Sequence, residues 1–411
     1  MIMAGFSPLA PIQTGDRLLS HLPSEASVLF VDQAGELGGA ELSLLDIVRL
    51  RPRPSSVVLF AEGPFRSRLA EVGVPVVVIP FDGSRRITRG SGVGDALLAA
   101  PDLARVILTL AGRARKSDLI YANTQKAFII AACAAILVRR PLIWHLRDIL
   151  TSDHFAGAMR TMAVGLANRT AACIIANSQA TANAFYVAGG TADVRVIHNG
   201  IDCTPFDSID ADQARTSLRA ELGLMDQRIV GVFSRLAEWK GQHVLIDALR
   251  ALPNLHAILV GGALFEEHAY EEKLRHQVNA LGLSGRCHFL GFRSDVPRLM
   301  KAVDVVVHTS IAPEPFGRVV VEGMLAGRPV VATRAGGVSE IINDGETGFL
   351  VTPGSVDELA STIGRLVASR DLSRTIGEAS QLAARQRFSL AGSVAAINAV
   401  IDETSRPRKH T

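Results

Sequence analysis

Glu314–Glu340 reads EPFGRVVVEGMLAGRPVVATRAGGVSE, and this stretch decides the fold. A Pro-Phe-Gly turn opens a helix near Gly317, expected over residues 318–326. A strand follows at Pro329–Ala332, and Ala335-Gly336-Gly337 then makes a second tight loop at the same sheet edge. At the start of that helix the amides of Phe316, Gly317, Arg318 and Val319 are placed to receive an anion. Glu314 stands ahead of them, where a carboxylate can hold sugar hydroxyls. Glu322 lies eight residues on, inside the helix, where it can accept both hydroxyls of a ribose.

The same alternation of short β-branched runs and helical stretches extends in both directions. Strands are expected at Ser27–Asp32, Val57–Ala61, Val74–Ile79, Asp118–Ala122, Leu142–His145 and Ala172–Ala176. The pattern restarts after Asp202, with strands at Arg228–Phe233, His256–Val260, Cys287–Leu290, Val303–Val307 and Pro329–Ala332. Strand–helix alternation implies parallel sheets covered on both faces. The class is therefore α/β, with two Rossmann-like, doubly wound domains. A leader at 1–26, a first domain at 27–202, a second at 203–385 and a closing segment at 386–411 are expected, with Asn199–Asp210 as the linker. The loop Phe81–Gly94 carries three arginines and no periodicity, so it reads either as a functional loop or as a variable surface loop.

Composition agrees. The chain has 411 residues, more than the roughly 250–300 that one core sustains. Net charge is only +3, which excludes a global electrostatic footprint for nucleic acid. Cys133, Cys173, Cys203 and Cys287 form no CxxC pair and read as free thiols in a reducing compartment. The N-terminus lacks a signal-peptide pattern. The longest uncharged apolar run, Ala127–Val138, falls short of the ~20 residues that span a bilayer, so a core helix and a cytoplasmic location are expected.

In open α/β sheets, ligands bind beyond the carboxyl ends of the strands. After the first strand comes a glycine turn containing Gly38 and Gly39, spaced GxxGGxE rather than GxGxxG, which is either an anion cradle or a structural turn. Glu62 follows the next strand. Asn123 and Thr124 follow the fourth, and His145, Arg147 and Asp148 end the fifth. On residues alone His145 reads equally as a structural histidine. After Arg228–Phe233, Arg235 and Lys240 flank a short loop before a helix and form a candidate diphosphate cradle.

With these motifs assembled, the chain resembles the large retaining GT-B glycosyltransferase family of EX7E type, glycosyltransferase group 1, which includes bacterial polysaccharide and glycolipid enzymes. Glu314 to Glu322 has the EX7E form. SRLAEWKG resembles the family's pyrophosphate motif, NGID its interdomain motif, GELGGAE its N-terminal glycine loop and WHLRD its catalytic-histidine segment. The resemblance implies two domains facing across a cleft and a hexosyltransferase using a UDP or GDP sugar. It implies that Arg235 and Lys240 bind the donor diphosphate, Glu314 the transferred sugar and Glu322 the ribose. Gly262 and Arg293 would line the base pocket, and His145 would contact the donor sugar or the moving proton. The final helix would cross back to the first domain. Asn123, Arg147 and Asp148 would belong to the acceptor side.

Retention by front-face substitution, with no metal or other cofactor, is the expected mechanism, because the two cations and a helix N-terminus can offset the leaving charge. Between residues 80 and 140 ten bases face four acids, which suits contact with an anionic membrane and a saccharide or lipid-linked acceptor as well as it suits a solvated basic face. The alternatives are a sugar phosphorylase or epimerase, a nucleotide-sugar-binding scaffold, and an NAD-dependent oxidoreductase. The missing GxGxxG weighs against the last of these.

Overall fold

The computed structural model describes residues 26–51, 54–81, 93–151, 157–263 and 267–406, with backbone only for 93–99. The leader, residues 82–92 of the arginine-bearing loop and the tail beyond Arg406 lie outside the described residues.

The first sheet is built from β1 (Val28–Asp32), β2 (Ser55–Leu59), β3 (Val76–Val78), β4 (Leu119–Ala122), β5 (Leu142–Leu146), β6 (Cys173–Ala176) and β7 (Val194–Val196). Its spatial order is β3-β2-β1-β4-β5-β6-β7. The second sheet is built from β8 (Arg228–Phe233), β9 (Leu255–Val260), β10 (Cys287–Gly291), β11 (Val305–His308), β12 (Val330–Thr333) and β13 (Phe349–Val351), in the order β10-β9-β8-β11-β12-β13. Every neighbouring pair is parallel. The molecule is thus two Rossmann-like α/β units, and each sheet reverses its strand order once, between β1 and β4 and between β8 and β11. The loops leaving those strands are where ligands are held in such sheets.

Two strands were not anticipated. β7 is three residues with an arginine at its centre, and β13 is also three residues. Both are edge strands without the longer apolar run, Val74–Ile79, that makes the equally short edge strand β3 legible. The central strands are legible because covering on both faces makes them continuously apolar, as in the fully buried VLFVD of β1. Val93 and Gly94, read as the end of a loop, begin the helix Val93–Ala114.

The first domain has two apolar layers. One holds Trp144 stacked on Phe128 at 4.2 Å and includes the run expected as a core helix, found within Gln125–Val138. The other holds Phe30, Leu44, Tyr121 and Ile143, together with Leu390, Val394, Ile397, Val400 and Ile401. Those five come from the last helix, Leu390–Ser405, so the end of the chain completes the core of its beginning. The crossing is tight. The Ile201 amide donates to the Phe388 carbonyl at 2.9 Å, and a Cβ on Gly200 would stand 2.5 Å from the Leu390 Cα. Ser389 then caps the helix by accepting from the Gly392 amide.

Ile401 is fully buried in that layer. Truncation in Ile401→Ala is expected to destabilise the first domain by about 2–5 kcal/mol. Denaturation followed by Trp144 fluorescence in a Trp239→Phe background measures it.

Candidate active site

The second domain presents a charged centre at its switch point. The β8 loop carries Lys240 and the β11 loop carries Glu314, and the Lys240 ammonium is in direct contact with Glu314 Oε1. Ser310 Oγ donates to the same oxygen at 3.0 Å, and His308 Nε2 lies 3.3 Å from it. Glu314 is 9% exposed. Burial alone would raise its pKa, but the Lys240 charge and the His308 contact outweigh burial and hold it well below the usual carboxylate range. Lys240 also lies over the Trp239 ring at 4.1 Å, with the Arg235 guanidinium 5.6 Å from the same ring.

Backbone contacts make the two loops one unit. The Ile311 amide donates to Trp239 O at 2.8 Å, and Thr309 Oγ1 donates to Lys240 O at 2.8 Å. Gly241 sits at φ +68°, and a Cβ there would stand 2.1 Å from the Thr309 carbonyl oxygen. The β12 loop joins them, because the Gly337 amide donates to Glu314 O at 2.8 Å. Gly317, at φ +107°, caps the helix Arg318–Leu325. The Val320 amide donates to the Gly317 carbonyl at 3.0 Å, so the Arg318 and Val319 amides are the ones at this helix end left without an intrahelical acceptor.

The first domain presents a polar network instead. Asp32 ends β1, is fully buried, and accepts from Asn123 Nδ2 at 2.5 Å and from the Ala34 amide at 3.0 Å. Arg147 is the hub. It donates to Asn123 Oδ1 at 2.7 Å and to Asn199 Oδ1 at 3.1 Å, and its Nη2 lies 3.1 Å from His145 Nδ1. Arginine only donates, so Nδ1 accepts and the neutral ring carries its proton on Nε2, which is buried with no hydrogen-bond partner among the described residues. Burial first, then the Arg147 charge, pushes His145 well below the usual histidine range. Glu41 accepts from the Gly38 amide at 3.0 Å. Burial, and after it the charge of Asp32, raise Glu41 to about 7.

Arg318 brings the halves together. Its Cδ lies 3.4 Å from where a Cβ on Gly39 would sit, its Nη2 is 3.6 Å from Glu322 Oε1, and its charge acts on both Asp46 and Arg147. Expected only to offer an amide, Arg318 also sends its side chain to the glycine loop of the other domain.

The remaining expected residues fall as follows. His145 lies inside β5, not beyond it, and is fully buried. Asp148 is half-buried just past β5. The Phe316 ring turns inward against His198 and Phe388 at 5.9 and 5.8 Å, and Val319 packs on the second-domain core. The Gly262 carbonyl accepts from the Leu236 amide at 3.0 Å, steadying the β8 loop. Arg293 is committed to Asp295 at 2.8 Å and Glu221 at 2.5 Å, which raise its pKa in that order. Glu62 pairs with Arg66 at the surface. Sequence reading missed Asp32, Glu41, Tyr121, His308 and Ser310. For Asp32 and His308 a signal existed: each is the polar last residue of an otherwise apolar strand.

Comparison with known proteins agrees with this geometry. A family model for glycosyl transferases group 1 matches residues 214–383, and one for a glycosyl transferase 4-like domain matches residues 38–200. Anabaena HepE, solved with UDP and glucose, is 46% identical, with coverage of 92% of this chain and 99% of that one and a TM-score of 0.82. The chain belongs to the group 1 glycosyl transferases. Its fold is GT-B, shared at 18% identity and a TM-score of 0.74 with a Thermosynechococcus elongatus sucrose-phosphate synthase. Among curated relatives, the lipopolysaccharide core biosynthesis glycosyltransferase LpsE of Rhizobium meliloti is 32% identical over 51% of this chain and 58% of its own length. The D-inositol 3-phosphate glycosyltransferase of Mycobacterium marinum is 34% identical over 43% of this chain and 38% of its own length. The matches thus span about half, or less, of these curated relatives.

For this group 1 glycosyl transferase the raised Glu41 gives a test of the first-domain network. A folded pKa above the unfolded value means that the native state holds the proton longer, so stability falls as pH rises from about 4.5 to about 7 and levels off above. The shift corresponds to about 3 kcal/mol. Glu41→Gln is expected to flatten that fall and to be the more stable protein at pH 8, with little difference at pH 4.5, as measured by urea unfolding across pH.

Proposed function

We propose that this protein transfers a hexosyl group from a nucleoside-diphosphate sugar, with UDP as the nucleotide, to an acceptor hydroxyl with retention of configuration. The observation that carries the reading is the Lys240–Glu314 pair beside the N-terminus of helix Arg318–Leu325, at the switch point of the second sheet. The similarity to HepE, solved with UDP and with UDP-glucose, supports UDP over GDP.

Arg235, Lys240 and the amides of Gly317, Arg318 and Val319 meet the diphosphate, Glu322 takes the ribose, and Glu314 orients the sugar. Gly262 borders the base, and Arg293 acts there through the loop it anchors. Front-face substitution fits the groups available. Glu314 is engaged by three groups at Oε1, and on this reading it orients the sugar instead of attacking it. His145, with Nδ1 occupied, offers only a donor, to a sugar or phosphate oxygen. The acceptor oxygen therefore bonds to the anomeric carbon as the carbon–diphosphate bond breaks, and the acceptor proton passes to the departing diphosphate oxygen. Asn123, Arg147 and Asp148 stand on the acceptor side. Charge on the leaving group is met by side chains and the helix end, so we propose that no metal takes part.

In thermal-shift measurements UDP at about 100 times its dissociation constant is expected to stabilise the protein by about 2.7 kcal/mol, with GDP well behind and the UDP effect lost in Glu322→Ala. UDP release from UDP-glucose is expected to fall by about 100-fold in Arg235→Ala and to be unchanged by EDTA. A UDP shift without any release from UDP-glucose points instead to a binding scaffold.

The acceptor is proposed to be a saccharide or lipid-linked glycan of the bacterial cell surface, reached from the cytoplasmic leaflet. No described helix is long and apolar enough to cross a membrane. Helices Val93–Ala114, Gln125–Val138 and Gly157–Thr170 pack side by side and expose Leu108, Ile136, Leu137 and Met162, and the bases Arg113, Arg115, Lys116 and Arg139 at the ends of the first two are exposed as well. Apolar side chains among bases suit an anionic interface. Flotation with phosphatidylglycerol vesicles is expected at low salt and is lost in Ile136→Glu/Leu137→Glu. An absence of flotation in the native chain ends the membrane proposal.

A further inference from the structure

Glu340 closes the stretch that decided the fold, and its carboxylate is spent across the domain boundary. Oε2 accepts from the Gln179 amide and Oε1 from the Ala180 amide, each at 2.8 Å. These amides open helix Gln179–Val187 of the first domain, where the helix end favours a negative charge. His198 Nε2, one residue before the linker, stands 3.1 Å from Oε2. Thr181 Oγ1, in the same first turn, lies 2.9 Å from Asn177 Oδ1 and 3.3 Å from the Pro315 carbonyl of the donor loop.

On its own side Glu340 is braced against that donor loop. The short helix Val338–Ile341 rises directly from Gly336-Gly337. A Cβ on Gly336 would stand 2.2 Å from Glu314 O, and one on Gly337 would stand 2.4 Å from Pro315 O. Arg387 holds the far end by donating to the Ile341 carbonyl at 2.9 Å and to the Glu340 carbonyl. Its neighbour Phe388 packs with His198 and Phe316. Linker, chain crossing, donor loop and first-domain helix therefore meet at one residue.

We infer that Glu340 is a positioning residue: it pins the Glu314–Gly317 loop to the first turn of helix Gln179–Val187 and fixes the pivot about which donor and acceptor halves approach. Its effect on turnover rests on the transfer reaction proposed above. Its carboxylate makes its bonds to Gln179, Ala180 and His198, away from Lys240, His308 and Ser310, so nucleotide binding, a property of the second domain, is left nearly intact when it is removed.

Hydrogen exchange on the ligand-free chain tests the link without any substrate. In Glu340→Ala, exchange is expected to rise at least about tenfold at residues 179–182 and, through the glycine brace, at residues 314–319 as well. UDP affinity measured by calorimetry stays within about threefold, while the rate of UDP release from UDP-glucose falls by about tenfold or more. Glu340→Gln, which keeps one good acceptor but loses the charge, falls between. A rise confined to residues 179–187, or turnover unchanged in Glu340→Ala, overturns the inference. If the native chain neither binds UDP nor releases it from UDP-glucose, the transfer reading fails, and the exchange pattern alone still decides the pivot.

Discussion

A carboxylate with 9% of its surface exposed has to find a cation or lose its charge, and for Glu314 the cation is Lys240. Much of the second domain's active face follows from bringing these two together. Lys240 arrives on the loop after β8 and Glu314 on the loop after β11, so the strands must be neighbours, as the reversal of strand order makes them. The loops must also touch, which is why Gly241 has no side chain to place against Thr309. In the proposed reaction an arriving diphosphate meets an ammonium already committed to Glu314. On that proposal donor binding shares the charge between phosphate and carboxylate, which couples recognition of the leaving group to orientation of the sugar-side carboxylate.

The first domain handles charge differently. Asp32 and Glu41 are both raised by burial, His145 is held neutral, and Arg147 is spread over two asparagines and an imidazole. Fixed, compensated charge on one side and a near-neutral hydrogen-bonding network on the other suit a reaction in which negative charge develops on the donor while the acceptor only gives up a proton. Arg318, reaching across from the second domain, adds a small repulsion at Arg147, which the nearby Asp32 and Glu41 carboxylates counter.

The legible part of this chain is the part governed by local rules. Buried parallel strands are apolar throughout, and glycine-bounded turns follow them, so two doubly wound sheets and the segment Glu314–Glu340 can be read directly. β7 and β13 could not be read, because they lack the longer apolar run, Val74–Ile79, that makes the equally short edge strand β3 legible. Lys240 and Glu314 were expected on one ligand, but their contact with each other spans 74 residues of sequence and depends on strand order, which composition does not state. The side chain of Arg318 shows the same limit: its helix position was readable, and its reach to Gly39 was not. Arg293 is a further case: the family resemblance set it at the base pocket, and its pairing with Asp295 and Glu221 was not readable.

The last helix ties the two sheets into one device. Its apolar face completes the first domain's core, while Arg370–Arg387 just before it belongs to the second domain, where Ile376 and Ala384 are buried. The chain thus passes between the domains at the linker and again at Phe388, side by side, with Ile201 bonded to Phe388. Two adjacent crossings permit rotation about the line joining them and resist sliding. Glu340, His198, Phe316 and Phe388 gather beside that line, so the Glu314–Gly317 loop is held close to the point where the two halves are joined. In the proposed reaction that closeness keeps the donor contacts fixed when the halves rotate.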